Sequence, residues 1–130
     1  MKSFEQLKLT KPQLKALADL QISSPTPIQE RAIPAVMSGQ DIVGLAQTGT
    51  GKTAAFALPI IERLLANSSP GPRVLVVAPT RELVIQIDAE IRALARWTKL
   101  KTVTLYGGVP DRTQIQALRR KPEVVVACPG

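Results

Sequence analysis

A chain of 130 residues with 45% hydrophobic and 21% charged positions holds enough apolar material for one core of ordinary size, and one compact domain is the default for that length. It contains no histidine and a single cysteine, which excludes zinc sites, His-dependent nucleophilic triads and a disulfide framework. The formal net charge of +7 favours an anionic partner, because clustered Lys and Arg gain free energy by releasing counterions from a phosphate backbone.

Aromatic residues make up only 3% of the chain, so contacts to nucleic acid are expected at the sugar-phosphate backbone rather than by base stacking. No apolar run approaches the roughly 18 residues of a membrane helix, and Met1 to Glu5 lacks a signal-peptide core, which predicts a cytoplasmic protein. Thr10-Lys11-Pro12-Gln13 has the form of a capping box with proline in the first turn, and Leu14, Leu17 and Leu20 follow it, predicting a short amphipathic helix. Ser23 to Pro27 reads as a rigid turn. Thr26, with Gln29 three places on, predicts the start of a second helix, kinked at Pro34 and ending near Ser38 with Gly39 as its stop.

From Asp41 the period changes. The runs Ile42 to Ala46, Val74 to Ala78, Val103 to Leu105 and Val124 to Ala127 read as buried strands separated by helical stretches, and repeated βα alternation predicts a parallel sheet. The helix from Lys52 to about Ala66 is apolar nearly all round and is expected in the core, bent at Pro59. A helix from about Arg81 to Trp97 carries Val84, Ile87, Ile91 and Leu94 on one stripe, with Asp88, Arg92 and Arg96 away from it. Asp111 is expected to cap a third helix ending near Arg120. Asn67 to Pro72 reads as a surface loop rather than a domain boundary. The clusters Arg119-Arg120-Lys121 and Arg92, Arg96, Lys99 and Lys101 read as solvated faces.

The run Ala46-Gln47-Thr48-Gly49-Thr50-Gly51-Lys52-Thr53 joins an expected strand to an expected helix. Triphosphate oxygens need converging backbone N–H donors, a cation, and a hydroxyl for magnesium. Gly49 and Gly51 permit the open turn, Lys52 reaches toward the β and γ phosphates, Thr53 is the candidate Mg²⁺ ligand, and the helix turns its positive end toward the anion. Ala46 stands where the general phosphate-loop pattern has glycine, and a chance Gly-rich turn is the alternative. Lys52 at a helix start is unfavourable without an anionic ligand, which argues for a nucleoside triphosphate.

Several segments together resemble the amino-terminal RecA-like domain of DEAD-box RNA helicases. Ala46 to Thr53 is similar to that family's phosphate loop, alanine included. Pro25-Thr26-Pro27-Ile28-Gln29 resembles the core of its Q motif, with Phe4 as the isolated upstream aromatic. Pro79-Thr80-Arg81-Glu82-Leu83 resembles motif Ia, Gly107-Gly108 the double-glycine element, and Cys128-Pro129-Gly130 the start of motif Ib, with cysteine in place of threonine. Gln21-Ile22 replaces the family's glycine followed by an aromatic residue.

The resemblance implies an α/β fold with a parallel sheet and flanking helices, a P-loop (RecA-like) architecture incomplete at its carboxyl end. Residues 1–39 form the Q-motif region and 40–130 the P-loop core. It implies ATP and Mg²⁺, bound by Phe4, Thr26, Gln29, Gln47, Thr48, Gly49, Thr50, Gly51, Lys52 and Thr53, with Lys52 and Thr53 acting on the phosphates. It also implies RNA held at Pro79, Thr80, Arg81, Gly107, Gly108, Pro129 and Gly130, and a second RecA-like domain. Each site has a plainer alternative: Gln29 as part of a helix cap, Phe4 as core, Arg81 paired with Glu82 or Asp88, and Gly107-Gly108 as a turn.

The Asp-Glu-Ala-Asp strand that completes such a site does not occur in the sequence. A piece of a longer ATP-dependent RNA helicase is therefore expected, binding nucleotide without turning it over and leaving sheet edges and apolar faces exposed. Another P-loop ATPase, such as a DNA helicase or a kinase, and a non-catalytic nucleotide- or RNA-binding module are the competing readings.

Overall fold

The computed structural model describes residues 3–47, 49 and 51–129. These divide into two compact units, Met1–Asn67 with Ala93–Thr98 and Ser68–Arg92 with Lys99–Gly130. The division at residue 67 falls in the Ser/Pro/Gly-rich loop.

The first unit is built on α1 (Lys11–Asp19), α2 (Pro27–Met37) and α3 (Lys52–Ala66). Its core is aliphatic, with Ala16, Leu17, Ile33, Ala57, Leu58 and Ile61 buried, and α2 packs along α3. The α1 cap differs from the expected box. Gln13 is fully buried and its amide donates to the Leu58 carbonyl and to Glu62 Oε1, both at 2.8 Å. That same carboxylate oxygen accepts from Thr10 N–H at 2.8 Å and from Thr10 Oγ1 at 2.9 Å. A carboxylate on α3 therefore caps α1, because a buried charged acceptor with three donors is stronger than a local side-chain cap.

The α1 helix ends in a Schellman turn, with Ile22 N–H on the Leu17 carbonyl at 2.9 Å and Gln21 N–H on Ala18 at 3.0 Å. Gln21 is thereby held at φ +58°, a left-handed conformation that glycine adopts without steric cost. Gly39 closes α2 in the same manner at φ +85°.

The run Ile42 to Ala46 is not a strand. Val43 is 90% and Leu45 89% exposed, and residues 41–47 carry no regular structure. A strand exists through its ladder, and among the described residues no strand pairs with residues 42–46.

The second unit holds β1 (Val74–Val77), β2 (Thr102–Leu105) and β3 (Val124–Ala127), all parallel, in the order β1-β3-β2. Val74 and Thr102 both register with Val124, and Val77 and Leu105 both register with Ala127. The central strand is a continuous apolar run buried on both sides, as parallel geometry requires. The edge strand β1 leaves Leu75 66% exposed. The connections contain α4 (Arg81–Leu94), whose last two residues belong to the first unit, and α5 (Asp111–Arg119).

On α4, Val84, Ile91 and Leu94 are buried as the stripe predicts, but so is Asp88. Its carboxylate accepts from Thr102 Oγ1 at 2.6 Å and pairs with Arg92 Nε at 2.8 Å. Asp88 is not away from the stripe as expected: it lies four residues after Val84 and three before Ile91, on the buried side of the helix, and the Thr102 hydroxyl and Arg92 supply donors in place of water. Asp111 is the first residue of α5, and Pro110 occupies the cap. No residue of α5 is buried.

No helix among the described residues is long and apolar enough to cross a membrane.

Candidate functional site

The phosphate-loop candidate takes its shape from two left-handed glycines and the start of α3. Gly49 lies at φ +83° and Gly51, the residue capping α3, at φ +81°. A Cβ on Gly51 would run into the Gln29 amide, so this position tolerates no side chain without moving its neighbour. Glycine at the cap brings no acceptor for the first-turn N–H groups, and no acidic residue occupies the first turn. Among the described residues the positive end of this 15-residue helix thus has no anionic partner, with Lys52 exposed and Thr53 half-buried beside it. That arrangement suits an external anion. Gln47 is exposed just upstream, whereas Thr48 and Thr50 lie outside the described residues.

Gln29 joins this loop to α2. Its Nε2 donates to the Gly51 carbonyl at 3.1 Å and its Oε1 accepts Thr26 N–H at 3.0 Å. The side chain, in a residue 3% exposed, is therefore engaged at both ends, and the helix-cap role expected for it is present. Thr26 Oγ1 is buried in the capping box with Gln29 and lies beside the loop, 3.5 Å from where a Cβ on Gly51 would stand. Phe4 is buried in the core and also lines a cleft of about 420 Å³ together with Leu17, Ala18, Gln21, Ile22 and Ser23. Gln29 is not among the residues lining that cleft. Thr26, Gln29 and Gly51 are brought together by hydrogen bonds, and Phe4 lines its cleft with Gln21 and Ile22.

The second candidate is the carboxyl edge of the sheet, where ligands gather in open α/β folds. Three turns leave the strands there: Pro79-Thr80-Arg81 after β1, Tyr106-Gly107-Gly108 after β2 and Cys128-Pro129 after β3. The central strand ties them together, with Ala78 N–H on the Ala127 carbonyl at 3.0 Å, Cys128 N–H on Leu105 at 2.9 Å and Cys128 Sγ 3.5 Å from the Pro79 carbonyl oxygen.

Thr80 Oγ1 caps α4 by accepting Leu83 N–H at 3.1 Å. The Arg81 guanidinium lies over the Tyr106 ring, 5.2 Å from its centroid, and borders Gly108, where an added Cβ would come within 3.2 Å of it. Gly108 lies at φ +88°. Among the described residues Arg81 pairs with neither Glu82 nor Asp88, since Asp88 is taken by Arg92. Its charge stays open toward solvent on an aromatic platform. Pro79, Thr80, Arg81, Gly107, Gly108 and Pro129 are all exposed; Gly130 lies outside the described residues. Sequence reasoning does not reach Tyr106, because only the fold shows which cation stacks on it.

The DEAD/DEAH box helicase family model matches residues 26–130. The chain is 48% identical, over 98% of its length, to the DEAD-box ATP-dependent RNA helicase RhpA of Helicobacter pylori, and 45% identical to the probable ATP-dependent RNA helicase DDX27 of Homo sapiens. It spans 26% of the first and 17% of the second. Among solved structures, the RNA-helicase Prp28 from Chaetomium thermophilum bound to ADP superposes with a TM-score of 0.88 at 39% identity, covering all of this chain and 33% of that one. A hypothetical ATP-dependent RNA helicase from Sulfolobus tokodaii gives 0.83 at 37% identity, covering 94% of this chain and 34% of that one. The family match over most of the sequence, joined to a parallel sheet shared with RNA-helicase domains, shows that the chain belongs to the DEAD/DEAH box helicase family.

Proposed function

We propose that this chain supplies the ATP-binding and RNA-contacting part of an ATP-dependent RNA helicase. The names of the relatives support the reaction class, and the ADP in the Prp28 structure supports an adenine nucleotide. The observation that carries the reading is the joint between Gln29 and Gly51: one amide touches the carbonyl of the residue that starts the phosphate-loop helix. A primary amide matches the N6 donor and N7 acceptor of adenine, whereas guanine offers two acceptors along the same edge. Recognition of the base would exchange the Gly51 bond for one to the purine and so report occupancy to the loop.

In this reading the N–H groups of Gly51, Lys52 and Thr53 receive phosphate oxygens, Lys52 neutralises the terminal phosphates, and the Thr53 hydroxyl is the residue that would hold Mg²⁺. The ion would supply charge compensation between phosphates. Phe4 forms the apolar wall of the neighbouring cleft. Thr80, Arg81, Gly107, Gly108 and Pro129 hold RNA by its phosphates, which positions a strand without reading its sequence. The water-orienting carboxylate and the charge-stabilising arginine of hydrolysis, with a second RecA-like domain, are assigned to the remainder of the whole protein.

The test is nucleotide competition on the full chain. Gln29→Ala should weaken ATP about 10-fold more than GTP, the discrimination expected from one lost polar contact to the base, while any loosening of the Gly51 turn is shared by both nucleotides. An unaltered ATP/GTP ratio would remove Gln29 from the site.

A further inference from the structure

Two charge clusters that sequence separates by some twenty residues meet in the fold. Arg92 from the end of α4, Lys101 from the start of β2 and Arg120 from the end of α5 line one cleft of about 350 Å³, with Thr102, Val103 and Pro122 also in its wall. All of these residues belong to the second unit. The cleft opens at the amino-terminal end of β2, whereas Gly107 and Gly108 follow the other end of that strand. Five residue steps from Thr102 to Gly107 separate the two by about 16 Å.

The cations here are not held alike. Arg92 is fixed by Asp88 at 2.8 Å, by Thr102 Oγ1 at 2.9 Å and by the Thr102 carbonyl at 3.3 Å, so its guanidinium is pre-positioned. Lys101 and Arg120 are exposed and make no ion pair among the described residues. Two carboxylates lie close by, and both are engaged: Asp88 as above, and Glu123 by the Lys101 backbone N–H at 2.8 Å. Arg119 and Lys121 are exposed in the turn that closes α5, and Lys121 sits at φ +55°, where glycine is ordinarily favoured. The buried Pro122 and the half-buried Val103 give the cleft an apolar floor, which strengthens the field of the cations above it.

We propose that this cleft is a second RNA-backbone site, separate from the carboxyl edge of the sheet, which engages phosphates of the same strand beyond those held by Thr80 and Arg81. The proposal rests on the RNA reading of that first edge. A strand held at one edge presents its continuation to the other at high effective concentration, so modest contacts in the cleft add usefully to affinity. RNA is favoured over an acidic protein because the groups offered are forked or point cations without the aromatic anchors of a protein interface.

The test measures fluorescence anisotropy of the full chain with polyuridine RNAs of about 6 and about 24 nucleotides across a KCl series, lengths chosen to span one edge or both. Lys101→Gln combined with Arg120→Gln leaves the Asp88–Arg92–Thr102 network intact. The longer RNA should bind the double variant about 10-fold more weakly, its slope of log K against log[KCl] falling by about 1.4, while the shorter RNA is unchanged.

Equal weakening of both lengths, or no change in either, would overturn the proposal. So would preserved RNA binding with loss of affinity for polyglutamate, which would assign the cleft to an acidic protein. Arg81→Gln, measured alongside, should weaken both lengths. Failure of that variant alone would indict the first edge and not the cleft.

Discussion

Two apolar runs of similar composition lead into the two candidate sites, yet the fold treats them differently. Val124 to Ala127 becomes the central strand, bonded on both sides and buried, and it delivers Cys128-Pro129 to the middle of the sheet edge. Ile42 to Ala46 leads into the candidate phosphate loop without a ladder partner among the described residues, and Ile42 to Leu45 stay exposed. The contrast teaches that a site may be fixed from either of its flanks. The proposed RNA edge is held by the strands before it, while the proposed phosphate loop is held from its carboxyl side, by the first turn of α3 and by the Gln29 amide docked on Gly51.

Hydrogen exchange would show the largest effect. Amides of Val124 to Ala127 should exchange at least about a thousandfold more slowly than those of Ile42 to Ala46, since buried ladder bonds open only with the whole unit and unpaired segments need no opening. Equal protection of the two runs would mean that residues 42–46 have a strand partner. A smaller effect is expected from Gly51→Ala, which places a Cβ at φ +81° and against the Gln29 amide. A strain of about 2 kcal/mol would make the free loop leave this conformation, and if binding requires its return, nucleotide should bind up to roughly 30-fold more weakly, read by calorimetry. Gly49→Ala meets no neighbouring atom within 4 Å and should cost less, although its φ of +83° is equally left-handed.

Much of this is legible in the chain. Alternating βα periodicity predicts the parallel sheet, and the helices begin and end within a residue or two of their signals, apart from the last turn of α4, which stops at Leu94 rather than Trp97. Pro79-Thr80-Arg81, Gly107-Gly108 and Cys128-Pro129 come to one edge of the sheet, because turns after parallel strands must share it.

What escapes the sequence is partnership across distance. Thr10-Lys11-Pro12-Gln13 has a local capping pattern, but Glu62 lies 52 residues from Thr10 and supplies a stronger acceptor. Asp88, four residues after Val84, shares the buried side of its helix by spacing, and only the position of Thr102 shows which hydroxyl donates to its carboxylate there. The run at 42–46 has strand composition, and composition cannot say whether a neighbour exists. Two cationic clusters that look like ordinary solvated faces converge because β2 and α5 bring Lys101 and Arg120 to the end of α4.

The central claim is that the turn ending at Gly51 and the start of α3 bind the triphosphate of ATP. Isothermal calorimetry of the full chain with ATP and magnesium, beside Lys52→Ala, tests it most directly. Wild-type protein should bind one equivalent, and the variant, without the cation that offsets the terminal phosphates, should bind at least about 100-fold more weakly, in keeping with loss of a charge-assisted contact of roughly 3 kcal/mol. ATP affinity retained in the lysine variant would contradict the account.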